Sequence, residues 1–313
     1  MSLTILVTGG AGFIGSHLCR HLIKEGNSVI CIDNLFSGNK ENINDLIDSK
    51  QFTFIEHDIV QPIYLEAEID QIYHLACPAS PKAYQLDPLF TLQTCFTGTF
   101  NICNLSVLKN AKILFTSTSE IYGDPLIHPQ VESYFGNVNT IGIRSCYDEG
   151  KRIGETIFTE FHRNKSLRIQ IARIFNTYGP NMSPNDGRVV TNFVSQYIQN
   201  KDITIYGNGS QTRSLCYVSD TLSGLIALMA QDSYIGPTNI GNPHEQTIKE
   251  IAETIGGYFP KSTSIITYEN LPQDDPTCRK PDIEKAKKQL KWCPKVLLHD
   301  GITATIHYLQ DKI

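Results

Sequence analysis

The chain has 313 residues, of which 41% are hydrophobic and 19% are charged, so it can bury a sizeable core in one large domain or two. Its net charge of −5 gives no basic surface for nucleic acid, and any phosphate binding has to rest on local arginines and backbone amides. No apolar run approaches the roughly 18 residues that a membrane span needs, and no basic segment typical of a signal peptide precedes the first apolar stretch.

The first element is a short apolar strand at 4–8 that leads directly into a glycine-rich turn. Gly9, Gly12 and Gly15 follow a G-x-x-G-x-x-G spacing, and the pattern after them predicts a helix over 13–25. Such glycines permit a tight turn, close approach of the backbone to a pyrophosphate, and phosphates at the helix N-terminus. Strand, turn and helix in this order predict a dinucleotide-binding unit.

A second strand, at 28–32, ends at Asp33, which lies 18 residues after Gly15. A carboxylate at this position accepts hydrogen bonds from the ribose hydroxyls of an adenosine and repels a 2′-phosphate. Asp33 therefore predicts a preference for NAD over NADP.

The first half of the chain continues to alternate between strand and helix patterns. This alternation predicts an α/β fold, a doubly wound parallel sheet of the Rossmann type with helices on both faces. The further elements predicted in this half are a helix at 87–108 and strands at 52–56, 71–75, 112–116 and 168–173.

Two groups of polar residues predict an active site. Thr118 follows the strand at 112–116, and Tyr147 and Lys151 have the spacing i and i+4, so both emerge from one face of a helix. An ammonium beside a phenol favours the phenolate and lowers the tyrosine pKa from about 10. We therefore predict that Tyr147 is a base for a sugar hydroxyl and that Thr118 presents its hydroxyl to the same oxygen.

After about residue 180, prolines, glycines and Asn-Gly turns break the chain into loops and short elements. A helix is predicted at 247–255 and a strand at 264–268. We predict an NAD-binding Rossmann domain at 1–180 and a smaller C-terminal substrate-binding lobe at 181–313, with segments that cross between the two. The smaller lobe would cover the carboxyl edge of the sheet.

The nine cysteines include no C-x-x-C pair, and several lie inside apolar strand or helix patterns, where cysteine behaves as a small hydrophobic residue. This usage favours a reducing cytoplasm over a disulfide framework. We expect a cytoplasmic protein that contacts neither nucleic acid nor a membrane, and we predict no metal site.

Ten segments of the sequence resemble the extended short-chain dehydrogenases/reductases that act on nucleotide sugars, and among these most closely the UDP-glucuronic acid decarboxylases. GGAGFIG and Y-x-x-x-K are typical of the whole superfamily. The motifs TSE, YDEGKR, NDGRVV and GSQTR are typical of a far smaller group within it. The segments are GGAGFIGSHL (9–18), DNLFSG (33–38), HLACPASP (74–81), STSEIYGDP (117–125), YFGNVNTIG (134–142), CYDEGKR (146–152), ARIFNTYGP (172–180), NDGRVVTNF (185–193), YGNGSQTRSLCYVSD (206–220) and RKPDIEKAK (279–287).

The resemblance also implies which residues contact NAD and a UDP-sugar. The implied cofactor contacts are Gly9, Gly12, Phe13, Ile14 and Gly15 at the pyrophosphate, Asp33, Asn34, Phe36, Ser37 and Gly38 at the adenosine ribose, Asp58 and Ile59 at the adenine, and Leu75, Cys77 and Thr94 at the nicotinamide half. Tyr147 and Lys151 are also implied to bind the cofactor. The implied substrate contacts are Tyr84, Glu120, Asn176, Arg188, Tyr206, Gln211, Arg213 and Arg279. Arginines suit a diphosphate because the guanidinium fork binds it bidentately.

The resemblance implies decarboxylation of UDP-glucuronate to UDP-xylose with recycling of the cofactor. Tyr147 would take the C4 hydroxyl proton while NAD⁺ takes the C4 hydride, which makes a 4-ketone β to the C6 carboxylate. Thr118 and Tyr147 would stabilise the enolate left by loss of CO₂, and return of the hydride would regenerate NAD⁺. Glu120 would position a water or disfavour the bound carboxylate, and Arg279 would pair with that carboxylate or with the diphosphate.

The alternative functions belong to two classes: another enzyme of the same superfamily, either a 4,6-dehydratase or a 4-epimerase, and a non-catalytic binding module. The related 4,6-dehydratases carry Thr-Asp-Glu where this chain has Thr118, Ser119 and Glu120, and a serine cannot act as the acid that expels a C6 hydroxyl. A nucleotide-sugar 4-epimerase is not excluded by any residue. A non-catalytic NAD-binding module of the same fold commonly lacks the Tyr/Lys pair, and its retention here argues against that function.

The chain departs from the family pattern at one tripeptide. The family typically has Lys-Thr-Asn where this chain has Gln93, Thr94 and Cys95. The first change removes a positive charge near the ligands, and the second removes a hydrogen-bonding side chain. Neither residue belongs to the proton-transfer set, so we expect altered affinity and unaltered chemistry.

A homodimer is expected from two helices with apolar faces, at 87–108 and 143–162. In the resembling family such helices pair into a four-helix bundle across the dimer. The residues that form the two apolar faces are Leu92, Phe96, Phe100, Ile153, Ile157 and Phe161.

Overall fold

The computed structural model describes residues 2–313 and is built around a seven-stranded parallel sheet, which confirms the doubly wound α/β class. Its strand order is β11-β6-β5-β4-β1-β2-β3. In chain order these strands are β1 (Thr4–Thr8), β2 (Ser28–Asp33), β3 (Phe52–Glu56), β4 (Gln71–His74), β5 (Lys112–Thr118), β6 (Ile169–Ile174) and β11 (Thr238–Ile240).

Helices cover both faces of the sheet, and the side chains of β1 pack against helices on each face. Side chains of a strand alternate between the faces, and Val7 and Leu6 accordingly belong to different apolar cores. Val7 packs in one core with residues of helices α1 (Phe13–Lys24) and α7 (Val218–Met229). Leu6 packs in the other core with residues of α4 (Thr99–Leu108) and α5 (Ser145–Lys165).

The helix predicted at 87–108 is confirmed, and it contains one irregularity. It runs through α3 (Pro88–Gln93), a π-helical turn at Thr94–Gly98, and α4. A short helix, α2 (Pro81–Leu86), precedes it, and Ser80 and Asp87 cap the N-termini of α2 and α3 with their side chains. The π turn is a local irregularity of a kind often found at functional sites.

The C-terminal half has its own apolar core, formed largely by helices α6 (Val189–Ile198), α8 (Ile248–Gly256) and α9 (Leu298–Gln310). β11 leaves this half and joins the central sheet beside β6, so the chain crosses back after residue 180. The division into 1–180 and 181–313 stays a prediction. The remaining strands are β7 (Thr177–Tyr178), β8 (Ile203–Tyr206), β9 (Thr212–Ser214), β10 (Cys216–Tyr217), β12 (Glu245–Thr247) and β13 (Ile266–Glu269).

Within residues 2–313, no helix combines the length and the apolar character needed to cross a bilayer.

Candidate active site

A cavity of about 1160 Å³ lies at the carboxyl ends of the central strands, between them and the C-terminal half. Ligands of open α/β sheets bind at this edge. Every site residue predicted from the sequence lines the cavity, with the exception of Arg279.

The glycine turn after β1 has the close packing that a dinucleotide cradle requires. Gly9 has a φ of +73°, and a Cβ there would lie 2.7 Å from the backbone nitrogen of Ala76. A Cβ at Gly15 would lie 2.7 Å from the Cα of Gly10. Helix α1 begins with Gly12 as its N-cap and has neither a capping side chain nor an acidic residue in its first turn. These free amides suit the pyrophosphate of a dinucleotide.

Asp33 ends β2 at the wall of the same cavity. Its carboxylate accepts hydrogen bonds from the backbone amides of Leu35 (2.8 Å) and Ala11 (3.0 Å). Burial raises the pKa of Asp33, and these two amides oppose that effect. Asn34 donates to the Asp58 carboxylate at 3.2 Å, which joins the two segments expected around the adenosine. The arrangement fits NAD.

The predicted catalytic pair lies on α5, where Tyr147 and Lys151 are both buried and line the cavity. The Lys151 ammonium donates to the backbone oxygen of Thr116 at 2.9 Å and lies 5.9 Å from the centroid of the Tyr147 ring. Thr118 ends β5 at the same edge, and its hydroxyl accepts from the amide of Glu120 at 3.3 Å. The structure thus brings the predicted proton-transfer residues together.

The expected lowering of the Tyr147 pKa by Lys151 is wrong. Burial raises the pKa of Tyr147 well above its ordinary value, the neighbouring Cys77 raises it further, and Thr118 only partly opposes them. Burial outweighs the ammonium of Lys151, which donates to a backbone carbonyl and lies over the Phe115 ring at 4.9 Å.

Glu120 lies at the centre of a buried ion-pair cluster. One carboxylate oxygen accepts from Arg144 at 2.7 Å and from Arg279 at 3.0 Å. Burial alone would raise the pKa of Glu120, but the charges of Arg279 and Arg144 outweigh it and hold this pKa well below its usual range. Arg279 is almost fully buried, bonds the carbonyl of Gly123, and lies behind Glu120 outside the cavity lining. Its contact with substrate stays a prediction.

Sequence reasoning missed Arg144, which lines the cavity and reaches Asp275 at 3.5 Å as well as Glu120. Arg144 precedes Tyr147 by three residues and Asp148 by four, and residues at these spacings share a helix face. The spacing could therefore have indicated that Arg144 lies near the site.

A second buried carboxylate, Asp148, lies beside this cluster. Its Oδ1 has no hydrogen-bond partner within residues 2–313. Burial and the charge of Glu120 raise the pKa of Asp148 to about 8, and Arg144 offsets only part of that rise.

Tyr84, predicted to contact the substrate, stacks on Tyr147 with the ring centroids 5.0 Å apart and the planes at 7°. Its hydroxyl is buried and finds no hydrogen-bond partner in the described part of the chain. An unsatisfied buried hydroxyl in a cavity wall is suited to a ligand oxygen.

The arginines expected at the diphosphate line the cavity on its C-terminal side. Arg188 pairs with Asp186 at 2.5 Å, and Arg213 pairs with Asp275 at 2.8 Å. A bound diphosphate would have to compete with these carboxylates, neither of which was predicted. The other predicted substrate residues on the same side are Asn176, Tyr206 and Gln211.

Comparisons with known proteins agree with this geometry. The family model described as GDP-mannose 4,6 dehydratase matches residues 6–305. UDP-glucuronic acid decarboxylase 1 of Arabidopsis thaliana is 53% identical over 99% of this chain and 71% of that protein. UDP-glucuronic acid decarboxylase 1 of Xenopus tropicalis is 48% identical over 99% of this chain and 72% of that protein.

Solved structures show the same fold. UDP-glucuronic acid 4-epimerase from Bacillus cereus, in complex with UDP-glucuronic acid and NAD, has a TM-score of 0.87 and 28% identity over 99% of this chain and 100% of that chain. UDP-glucose 4-epimerase from Thermotoga maritima, with UDP-glucose, has a TM-score of 0.89 and 29% identity over 99% of each chain.

The fold, the glycine cradle and the Tyr/Lys pair define an NAD-dependent enzyme of the extended short-chain dehydrogenase class. The chain belongs to the GDP-mannose 4,6 dehydratase family and, within that family, to the UDP-glucuronic acid decarboxylases.

Proposed function

We propose that this enzyme converts UDP-glucuronate to UDP-xylose and CO₂ through a 4-keto intermediate. The observation that carries the proposal is the convergence of Thr118, Glu120, Tyr147 and Lys151 on one cavity that also contains the dinucleotide cradle. The identity of 53% to a decarboxylase, against 28% to a UDP-glucuronic acid 4-epimerase, favours decarboxylation over epimerisation.

The residues divide the chemistry between proton transfer and electrostatics. NAD⁺, when bound, supplies the hydride acceptor and a positive charge that favours the phenolate. Tyr147 removes the C4 hydroxyl proton, and Thr118 holds the same oxygen by a hydrogen bond. Once C4 is a ketone, both hydroxyls stabilise the negative charge that develops on its oxygen as CO₂ leaves.

Glu120 acts as a charge and not as an acid. Two guanidinium groups share one of its oxygens, so it stays ionised and cannot deliver its own proton to C5. Its other oxygen can orient a water for that reprotonation, and its charge disfavours a carboxylate nearby. Both roles proposed from the sequence are therefore compatible with the geometry.

We expect the enzyme to release CO₂ from UDP-glucuronate without added reductant and to use NAD⁺ catalytically. Product mass, CO₂ release and the absorbance of reduced nicotinamide are followed together. UDP-xylose with a minor fraction of the 4-ketone supports the proposal. One NADH per CO₂ would show an oxidative decarboxylase, and a product of unchanged mass would show an epimerase.

We also propose a homodimer formed through α3, α4 and α5. Leu92, Phe96, Phe100 and Ile153 are exposed apolar side chains, as an interface needs. Two residues of the predicted faces were assigned wrongly, because Ile157 and Phe161 are buried in the protomer's own core.

Light scattering of the purified protein should give twice the chain mass of 35.1 kDa at micromolar concentration. Phe96→Asp should shift this mass towards the monomer, and Tyr268→Asp, at an exposed aromatic residue of β13 in the C-terminal half, should not. A wild-type monomer would refute the dimer.

We further propose that the protein works in the cytoplasm, which the nine free cysteines support.

A further inference from the structure

Two cysteines that the proposed reaction does not use lie against each other at one end of the cavity. The Sγ atoms of Cys77 and Cys95 are 3.4 Å apart. Cys77 follows β4, is half-buried and lines the cavity, whereas Cys95 is buried in the π turn. A Cβ at Gly150 would lie 2.8 Å from the Cys95 sulfur, so α5 leaves just the room that this thiol needs.

The two thiols differ in reactivity. Burial raises the pKa of Cys77, but the hydrogen bond with Cys95 and the charge of Lys151 outweigh it and bring this pKa to about 7. The pKa of Cys95 is raised well above its ordinary value by the Cys77 thiol and by burial. The accessible sulfur is thus the better nucleophile, and the buried one is placed to resolve its oxidation product.

We propose that Cys77 and Cys95 form an oxidation site at which hydrogen peroxide converts the dithiol to a disulfide. The Cys77 thiolate attacks the peroxide, forms a sulfenic acid and releases hydroxide, which is protonated to water. The Cys95 sulfur then attacks the Cys77 sulfur, and the sulfenic oxygen leaves as a second water. Two thiols and one peroxide give one disulfide and two waters.

The disulfide would act on the catalytic site through geometry. Its bond length of about 2.05 Å requires the two sulfurs to approach by more than 1 Å. Cys77 packs against the cluster of Tyr84, Cys146 and Tyr147, and Cys95 follows Thr94 of the cavity wall. Bond formation therefore pulls two walls of the cavity together and should impair turnover.

A second cysteine pair in the same chain sharpens the proposal. Cys19 and Cys31 also interact beneath Gly10, but both are fully buried and neither lines the cavity. They serve as an internal control, because these two sulfurs are close together but cannot be reached from the cavity.

The experiment treats the purified protein with hydrogen peroxide, alkylates the remaining thiols and maps disulfides by mass spectrometry. Trypsin is combined with chymotrypsin, because cleavage at Phe96 and Phe100 separates Cys95 from Cys103. We expect a Cys77–Cys95 peptide, a fall in turnover of about tenfold or more, and recovery with dithiothreitol. Saturating NAD⁺ should slow formation of this peptide. The turnover readout rests on the proposed function, whereas the peptide does not.

Two variants separate the site from general oxidation. In Cys95→Ser, Cys77 has no resolving thiol and should pass to sulfinic acid, so dithiothreitol no longer restores activity. Cys293→Ser, at an exposed cysteine, should behave like the wild type. Inactivation without the Cys77–Cys95 peptide, or equal formation of a Cys19–Cys31 peptide, would overturn the proposal.

Discussion

Tyr147→Phe is expected to lose nearly all turnover while keeping its fold and its affinity for NAD. The change removes only the phenolic oxygen and leaves the ring that stacks on Tyr84. Proton transfer by a positioned side chain typically contributes about 10²–10⁴-fold, and Tyr147 is also one of the two groups that we propose to stabilise the oxyanion. The loss should therefore appear in kcat for UDP-glucuronate, measured as CO₂ release.

The matched control for this variant is Tyr73→Phe. Tyr73 is a buried tyrosine of β4 that does not line the cavity, so the same chemical change occurs away from the site. Cofactor binding is titrated in both variants to show that the fold is intact. Turnover of Tyr147→Phe within about threefold of the wild type would remove Tyr147 from the role of base.

The parts of the site that could be predicted are those encoded over short stretches of sequence. The glycine turn, Asp33 and the Tyr147/Lys151 pair each depend on spacing within one strand–turn–helix unit or one helix face. Local geometry fixes such positions whatever the rest of the fold does. Their predicted places in the structure were accordingly close to those observed.

The parts that could not be predicted depend on contacts between distant segments. Arg279 reaches Glu120 across 159 residues, and the true electrostatic environment of Glu120 follows from that contact. Strand β5 extends through polar Ser117, which pairs with Arg173 of β6 and whose hydroxyl donates to Glu155 at 2.6 Å. The raised pKa of Tyr147 likewise reflects burial, which the i, i+4 spacing of Tyr147 and Lys151 does not reveal.

The start of the helix at 87–108 had a signal in the sequence, whereas the π turn inside this helix had none. Pro88 is favourable only in the first turn of a helix, which agrees with the start of α3. Nothing in the residues at 94–98 marks a π turn, because its extra residue is accommodated by packing against α5.

Asp148→Asn is expected to stabilise the protein increasingly as the pH rises from about 4 to about 8. Burial and Glu120 raise the pKa of Asp148 from its ordinary value of 3.8 to about 8 in the folded protein. Between these values the folded state holds a proton that the unfolded state has lost, so the free energy of unfolding falls as the pH rises. Each unit by which the pKa in the folded state exceeds the pKa in the unfolded state corresponds to about 1.4 kcal/mol of unfolding free energy. Asparagine has the same shape as aspartate but cannot ionise, so it removes the cost of a buried charge.

Thermal and denaturant unfolding of wild type and Asp148→Asn are therefore compared at several pH values. The two proteins should be nearly equal near pH 4 and differ by on the order of 3–5 kcal/mol near pH 8. Asp48→Asn, at an exposed carboxylate, removes a charge without this burial and should leave the pH dependence unchanged. Glu120 cannot produce the same curve, because Arg144 and Arg279 hold its pKa low and it stays ionised throughout this range. Parallel curves for wild type and Asp148→Asn would mean that Asp148 is ionised in the folded protein, with its charge balanced by Arg144.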